Sequence, residues 1–262
     1  MPITTSIPIK RLSQKDFGEI AFEVMKHCFD IHNEIGRLFD EKIYKRILAT
    51  RMPSVTLEVP VDVDFQSFHK QYLLDVLVAD GAVFELKAVE KLTGRHRAQL
   101  LNYLLLCDLA HGKLINVRPE SIEHEFVNTQ WRFTDRLQFE INCDRWNPTL
   151  PNAKRIQDYL LAFLNDVGSG LETHLYQEAI IHSLGGHEKT NSEIQVMVAG
   201  QIVGQQNMYM LSNGVALKIT SLDRSLDAHE LHTRRLLAHT SLQAIAWINI
   251  TLKQISFTTL TQ

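Results

Sequence analysis

The apolar positions of this chain change period several times, and each change marks an element. From Asp16 onward, Phe17, Ile20, Ala21, Val24, Met25, Cys28, Ile31 and Ile35 recur at intervals of three and four, the spacing of one helix face. Asn33-Glu34-Ile35-Gly36 supplies a stop. A second helix starts near Asp40, with Ile43, Tyr44, Ile47 and Leu48 on one side and Glu41 in its first turn. Period two follows: Val55 to Val63 alternates as a half-buried strand, and Pro60 marks an edge or a bulge. Two apolar runs then flank Ala79-Asp80-Gly81. Arg95 to Leu109 returns to the helical period, and Lys113 to Val117 is a short strand.

Residues 128–152 fit neither period. They carry Trp131 and Trp146 and read as a connector that packs on something, because a solvated linker rarely holds two indoles. Beyond it the pattern restarts. Ile31 to Tyr44 aligns without gaps to Phe163 to Tyr176, repeating Asn33, Gly36 and Tyr44 as Asn165, Gly168 and Tyr176. Arg95 to Val117 aligns to Ala228 to Ile250, Ala-Asp-Gly (79–81) to Ser-Asn-Gly (212–214), and Leu86-Lys87 to Leu217-Lys218. Collinear matches with preserved spacing point to a tandem duplication. The expected domains are 1–127 and 153–262, with 128–152 between them.

Composition narrows the class. The 262 residues are 45% hydrophobic and 22% charged, an ordinary globular balance that suits two domains. No run of about 18 apolar residues suggests a membrane span, and the first residues do not resemble a signal peptide. Three widely spaced cysteines without a Cys-x-x-Cys favour a reducing cytoplasm over a disulfide framework or a zinc ribbon. A net charge of −3 argues against a surface coated for non-specific nucleic-acid binding, while leaving room for a local basic groove.

The candidate chemistry lies in Tyr72 to Lys87. Asp75, Glu85 and Lys87 sit inside its apolar runs, where an unpaired ion costs several kcal/mol. Glu85 and Lys87 are two apart on a strand and share a face. A two-residue loop would turn Asp75 away from them. A three-residue loop at 79–81, with Gly81 left-handed, pairs 78 with 82 and sets Asp75 opposite Glu85. Two facing carboxylates repel unless a cation sits between them, and such oxygen ligands suit Mg²⁺ or Mn²⁺. A lysine beside the metal stabilises a developing oxyanion or orients water, which fits hydrolysis of a phosphodiester.

Asp75, followed after nine residues by Glu85-Leu86-Lys87, is similar to the D…(D/E)xK signature of the PD-(D/E)XK nuclease superfamily. Gly36…Glu41-x-x-Tyr44 upstream and Gln99-Leu-Leu-Asn-Tyr103 downstream resemble its GxxExxY family, over roughly Phe17 to Asn128. The resemblance implies an α/β fold: two restriction-endonuclease-like domains, each a mixed central sheet flanked by helices, arranged as a pseudo-dimer. It implies Asp75 and Glu85 as direct Mg²⁺ (or Mn²⁺) ligands, the Leu86 carbonyl as a further candidate, Glu41 as a helix carboxylate reaching the metal, and Lys87 assisting the attacking water. Gln99 and Tyr103 would border the site and contact substrate phosphate or hold the metal cluster. Lys91, Arg95 and Arg97 form either a phosphate-binding rim or a solvated helix start. The implied partner is nucleic acid, DNA in preference to RNA.

The second copy departs from this pattern. Glu41 aligns to Thr173, Glu85 to Ala216, Asp75 to Met208 or Met210, Gln99 to His232 and Tyr103 to Leu236, leaving Lys218. His229-Glu-Leu-His232 offers two helical ligands but no third for zinc. The reading is therefore a metal-dependent nuclease with one live site and one degenerate copy. The alternative is a catalytically silent module that binds nucleic acid or a protein.

Overall fold

In the computed structural model, which describes residues 2–262, a short strand β1 (Ile3–Thr5) precedes the long helix α1 (Gln14–Ile35). The Ser13 hydroxyl caps α1 by accepting the Asp16 N–H at 3.2 Å. Gly36, at φ 74°, ends it. The face marked by the sequence period is the buried one: Phe17, Ala21, Val24, Met25, Cys28 and Ile31 lie in the core. Helix α2 (Glu41–Arg51) follows, and its Tyr44 hydroxyl donates back to the Gly36 carbonyl at 2.8 Å.

Strands β2 (Val55–Phe65), β3 (Phe68–Val78) and β4 (Ala82–Lys87) form an antiparallel meander. Helix α3 (Gly94–Leu106) crosses over to β5 (His111–Asn116), which runs parallel to β4, and β6 (Glu123–Asn128) returns antiparallel. The sheet order is β1-β2-β3-β4-β5-β6. β1 pairs with Val61–Val63, so its register stops just short of Pro60, which has no N–H to offer. Phe84 and Leu86 of β4 join the α1 core, and strand alternation turns Glu85 and Lys87 to the other face.

The β3–β4 loop spans three residues, with Val78 opposite Ala82 as the charge pattern required. The expected left-handed Gly81 is corrected: Ala79 (φ 49°) and Asp80 (φ 54°) take the left-handed conformation. Glycine is needed at 81 for space, because a Cβ there would stand 2.5 Å from the Lys10 carbonyl and 2.8 Å from Leu12 Cγ.

The chain divides into two compact units, Met1–Asp135 and Arg136–Gln262, with the short helix α4 (Phe133–Arg136) at the division. The second unit contains β7 (Glu140–Arg145), α5 (Ala153–Val167), α6 (Thr173–Ser183), α7 (His187–Thr190), β8 (Asn191–Val198), β9 (Gln201–Ser212), β10 (Val215–Thr220), α8 (Leu226–Ala238), β11 (Ala244–Ile250) and β12 (Gln254–Thr261). Its sheet order is β7-β12-β11-β10-β9-β8; β10 and β11 are parallel and joined through α8, as β4 and β5 are through α3, and β7 also runs parallel to β12. Within residues 128–152, β7 is the edge strand of this sheet. Trp146 is buried there with its ring edge-on to Phe257 at 5.4 Å. Among the described residues no helix is long and apolar enough to cross a membrane.

Two hydrogen-bond arrangements recur in both units. Tyr176 donates to the Gly168 carbonyl at 2.9 Å, as Tyr44 does to Gly36. The Asn249 amide clasps the backbone of Leu222 as Asn116 clasps that of Val89. Lys87 stands across from Asn116, and Thr220 across from Asn249. This corrects the alignment of Leu86-Lys87 with Leu217-Lys218. Lys218 occupies the place of Glu85, and Thr220 the place of Lys87. Ala216 pairs with Met210 as Val83 pairs with Leu77, which makes Met208 the counterpart of Asp75. The two-residue shift was hidden in the hairpin. The second one pairs Ser212 directly with Val215 and then bulges at Val215/Ala216.

Candidate active site

Three adjacent elements deliver five ionisable side chains to one place. Strand β4 brings Glu85 and Lys87, β3 brings Asp75, and α2 brings Glu41 with Lys45 one turn later. Lys87 Nζ lies 2.5 Å from Glu85 Oε1 and 3.9 Å from Asp75 Oδ2. Lys45 Nζ lies 3.1 Å from Asp75 Oδ1, 3.3 Å from Glu41 Oε1 and 3.7 Å from Glu58 Oε1. Glu85 is fully buried, and the side chains of Lys45, Lys87 and Asp75 are 8%, 14% and 15% exposed. Glu41, at 30%, and Glu58, at 60%, form the open side of the group.

Glu58 lies in β2 where it meets Asp75. It holds a left-handed φ of 52°, and the β2–β3 ladder lacks the Glu58–Asp75 pair between Leu57–Val76 and Val59–Leu74 while keeping its register. A non-glycine residue in that conformation costs about 1–3 kcal/mol. The irregularity sits beside the charge cluster and brings the Glu58 carboxylate to Lys45.

Burial sets the electrostatics. Desolvation first, and then the Asp75 carboxylate, push the Glu85 carboxyl up to about 8 against the pull of Lys87. Desolvation and Asp75 also raise Glu41. For Lys87, burial works to lower the ammonium, but Glu85, Asp75 and Glu41 outweigh it and hold it above its ordinary value. Burial likewise opposes Lys45, which Asp75 and Glu41 raise. Both lysines therefore stay charged at neutral pH. Their two positive charges stand among four acids, Glu41, Glu58, Asp75 and Glu85.

Two oxygens of the cluster, Asp75 Oδ2 and Glu85 Oε2, are buried and accept no hydrogen bond among the described residues. A buried carboxylate oxygen left bare costs on the order of 1–3 kcal/mol.

Residues 18–128 match the family model of the PD-(D/E)XK nuclease superfamily. The match runs from α1 to the last residue of β6 and includes Glu41, Asp75, Glu85, Lys87, Gln99 and Tyr103. The chain matches no curated protein and no solved structure. PD-(D/E)XK nucleases are typically hydrolases that use divalent metals such as Mg²⁺, so the match speaks for nuclease activity in the first unit.

The residues present fit such an ion. Among the described residues, no three His, Cys, Asp or Glu side chains close into a cage. Mg²⁺ needs no such cage, since it keeps several waters and takes one or two carboxylates. The two bare oxygens of Asp75 and Glu85 are hard donors of that kind. Glu41, at the cluster's open side, is the third acid.

The other sequence-marked residues divide. Gln99 donates to the Tyr103 hydroxyl at 3.0 Å across one turn of α3, and the Tyr103 ring meets Tyr72 edge-on at 6.2 Å. Arg97 is held by Glu125 through two hydrogen bonds of 2.8 and 2.6 Å, so it stands neutralised on the surface. Arg95 is exposed. Sequence reading missed Lys45 and Glu58. Lys45 was signalled by its place one helical turn after Glu41, on a face that also carries Tyr44 and Leu48 into the core. Glu58 gave no signal, because its role depends on a backbone irregularity that the alternating pattern conceals.

Proposed function

We propose that the first unit is a metal-dependent nuclease that hydrolyses phosphodiester bonds of nucleic acid, DNA in preference to RNA, at a single site. Asp75 and Glu85 hold Mg²⁺ or Mn²⁺, with Glu41 as the outer acid. The observation that carries this reading is the pair of buried, donor-less oxygens, Asp75 Oδ2 and Glu85 Oε2, in a region matching a nuclease superfamily. A divalent cation bound there supplies positive charge for the scissile phosphate and acidifies a water.

The chain's own groups do the rest. Lys87 keeps its proton at Nζ at neutral pH, so it serves as a fixed cation rather than a base. From that position it orients the attacking water and stabilises charge that builds on the phosphate oxygens. The attacking water gives up a proton to bulk water as its oxygen forms the new P–O bond; the ester P–O bond breaks, and the departing oxygen takes a proton back from bulk water. Gln99 and Tyr103, already linked, position the substrate phosphate, and Arg95 takes a flanking one. Arg97 joins them only by leaving Glu125.

The same reading takes the chain as a GxxExxY protein doubled in tandem, its copies arranged as a pseudo-dimer and its second copy without catalytic acids. The matched bonds of Tyr44 and Tyr176, and of Asn116 and Asn249, support the doubling. Free cysteines suit a cytoplasmic setting. Residues 1–127 expressed alone test the pairing: a folded, fully active fragment removes it.

One observation favours a second reading, a silent nuclease-derived module that binds nucleic acid or a protein. Lys45 already holds Asp75 and Glu41, doing part of a metal's work with an ammonium. Calorimetric titration with Mn²⁺ separates the two. The nuclease reading expects one site that is lost in Asp75→Asn and in Glu85→Gln, and a wild type that takes up no Mn²⁺ would leave only the silent module.

A further inference from the structure

Lys218 stands in the second unit where Glu85 stands in the first, one strand away from Trp247 of β11. Its surroundings are the reverse of an acid site. Among the described residues no carboxylate and no hydrogen-bond acceptor reaches Lys218, although it is half-buried and burial depresses its ammonium. His229, in the first turn of α8, turns its ring against Trp247 at 5.1 Å, and its Nε2 is buried without a hydrogen-bond partner. Burial, then Lys218, then His232, hold the His229 imidazole below its ordinary value. Glu230, next in the chain, is already committed to Arg145 and Arg234. Thr220, at the place of Lys87, is spent on Asn249 and Trp247.

A half-buried cation and a buried imidazole nitrogen, both placed beside Trp247 and neither bonded to an acceptor, suit one shared anion. We propose that the second unit carries a phosphate-binding site in which Lys218 Nζ and His229 Nε2 donate to one phosphate group. The duplicated position has changed sign. In the first unit it presents bare oxygens to a cation, and in the second it presents bare nitrogens to an anion. The phosphate belongs either to the backbone of a nucleic-acid strand or to a free phosphate compound. The site stands whether or not the first unit cuts anything.

Trp247, in ring contact with His229, is a built-in reporter. The full chain, in metal-chelating buffer so that nothing is cleaved, is titrated with inorganic phosphate and separately with a single-stranded oligonucleotide of about ten nucleotides. The expected result is a saturable change in tryptophan fluorescence. It should weaken about tenfold or more in Lys218→Gln and in His229→Phe, and stay within about threefold of wild type in Lys218→Arg. Oligonucleotide binding that is tighter than phosphate and competed by it assigns the site to a strand. A response to phosphate without one to the oligonucleotide assigns it to a free compound. Lys218→Gln should also melt no lower than wild type, because it removes a charge that nothing in the fold uses. No saturable response to either probe, or equal affinities in wild type, Lys218→Gln and His229→Phe, would overturn the proposal.

Discussion

Lys45 Nζ stands 3.1 Å from Asp75 Oδ1, a lysine from α2 inserted against the one acid that β3 contributes to the cluster. That contact organises the site. It neutralises one oxygen of Asp75 and leaves the other, Oδ2, bare and turned toward Lys87. Removing Lys45 should therefore act in two opposite directions. In Lys45→Met without metal, the acids lose a buried counter-charge, and the fold should lose about 3–5 kcal/mol. Mn²⁺ should bind more tightly and restore much of that loss. Denaturant unfolding with and without Mn²⁺ measures both effects, and a metal-free variant as stable as wild type would show the contact to be incidental.

Glu85 makes stability depend on pH in a defined direction. Its carboxyl titrates near 8 in the fold and near 4.5 when unfolded, so the folded state holds the proton more tightly. The contribution is fully present below about pH 4.5 and is lost as pH rises through about 8. Metal-free protein should lose melting temperature across that window, and Glu85→Gln should flatten the curve. Bound metal competes with the same proton, so Mn²⁺ affinity should rise over the same range. A melting temperature that climbs from pH 5 to 8 would contradict the assignment.

Gly81 and Ala79 make opposite demands within one turn. Gly81→Ala drives a Cβ into the Lys10 carbonyl and should cost about 1–3 kcal/mol by displacing the N-terminal segment. Ala79→Gly relieves a left-handed φ of 49° and should be neutral or stabilising by up to about 1 kcal/mol. Chemical denaturation of the two variants checks the pair. Equal destabilisation by both would mean that the turn is held by something other than these contacts.

The paired tyrosines offer a test of the matching bonds. Tyr44→Phe removes one donor to Gly36 and should cost about 1 kcal/mol. Tyr176→Phe removes a donor to Gly168 and also the acceptor of the Leu171 N–H at 3.0 Å, in a fully buried setting, and should cost about 2–3 kcal/mol. Thermal unfolding should rank Tyr176→Phe below Tyr44→Phe.

Much of the frame could be read from the chain because burial imposes a period. The α1 face follows from spacing alone; the three-residue loop, which sets Asp75 near Glu85 and Lys87, is read from a left-handed Gly81 that the structure does not have. What escaped depends on contacts between distant segments. Gly81 is required by Lys10 and Leu12, seventy residues upstream, and not by its own φ. The second hairpin carries a bulge that makes Leu217-Lys218 resemble Leu86-Lys87 in sequence while shifting Lys218 to the place of Glu85. Arg97 reads as free in one dimension and is bound to Glu125 in three. Lys45 escaped because a lysine on a helix is ordinarily solvated, and only the meeting of α2 with β3 buries this one.

The most direct test is cleavage of single- and double-stranded DNA and RNA by the full chain with Mg²⁺ or Mn²⁺, compared with Asp75→Ala and Lys87→Ala. The expected result is metal-dependent hydrolysis by wild type, reduced at least about a hundredfold in both variants. Hydrolysis that persists unchanged in Asp75→Ala, or its absence with every substrate in the wild type, would contradict the assignment of this site to phosphodiester chemistry.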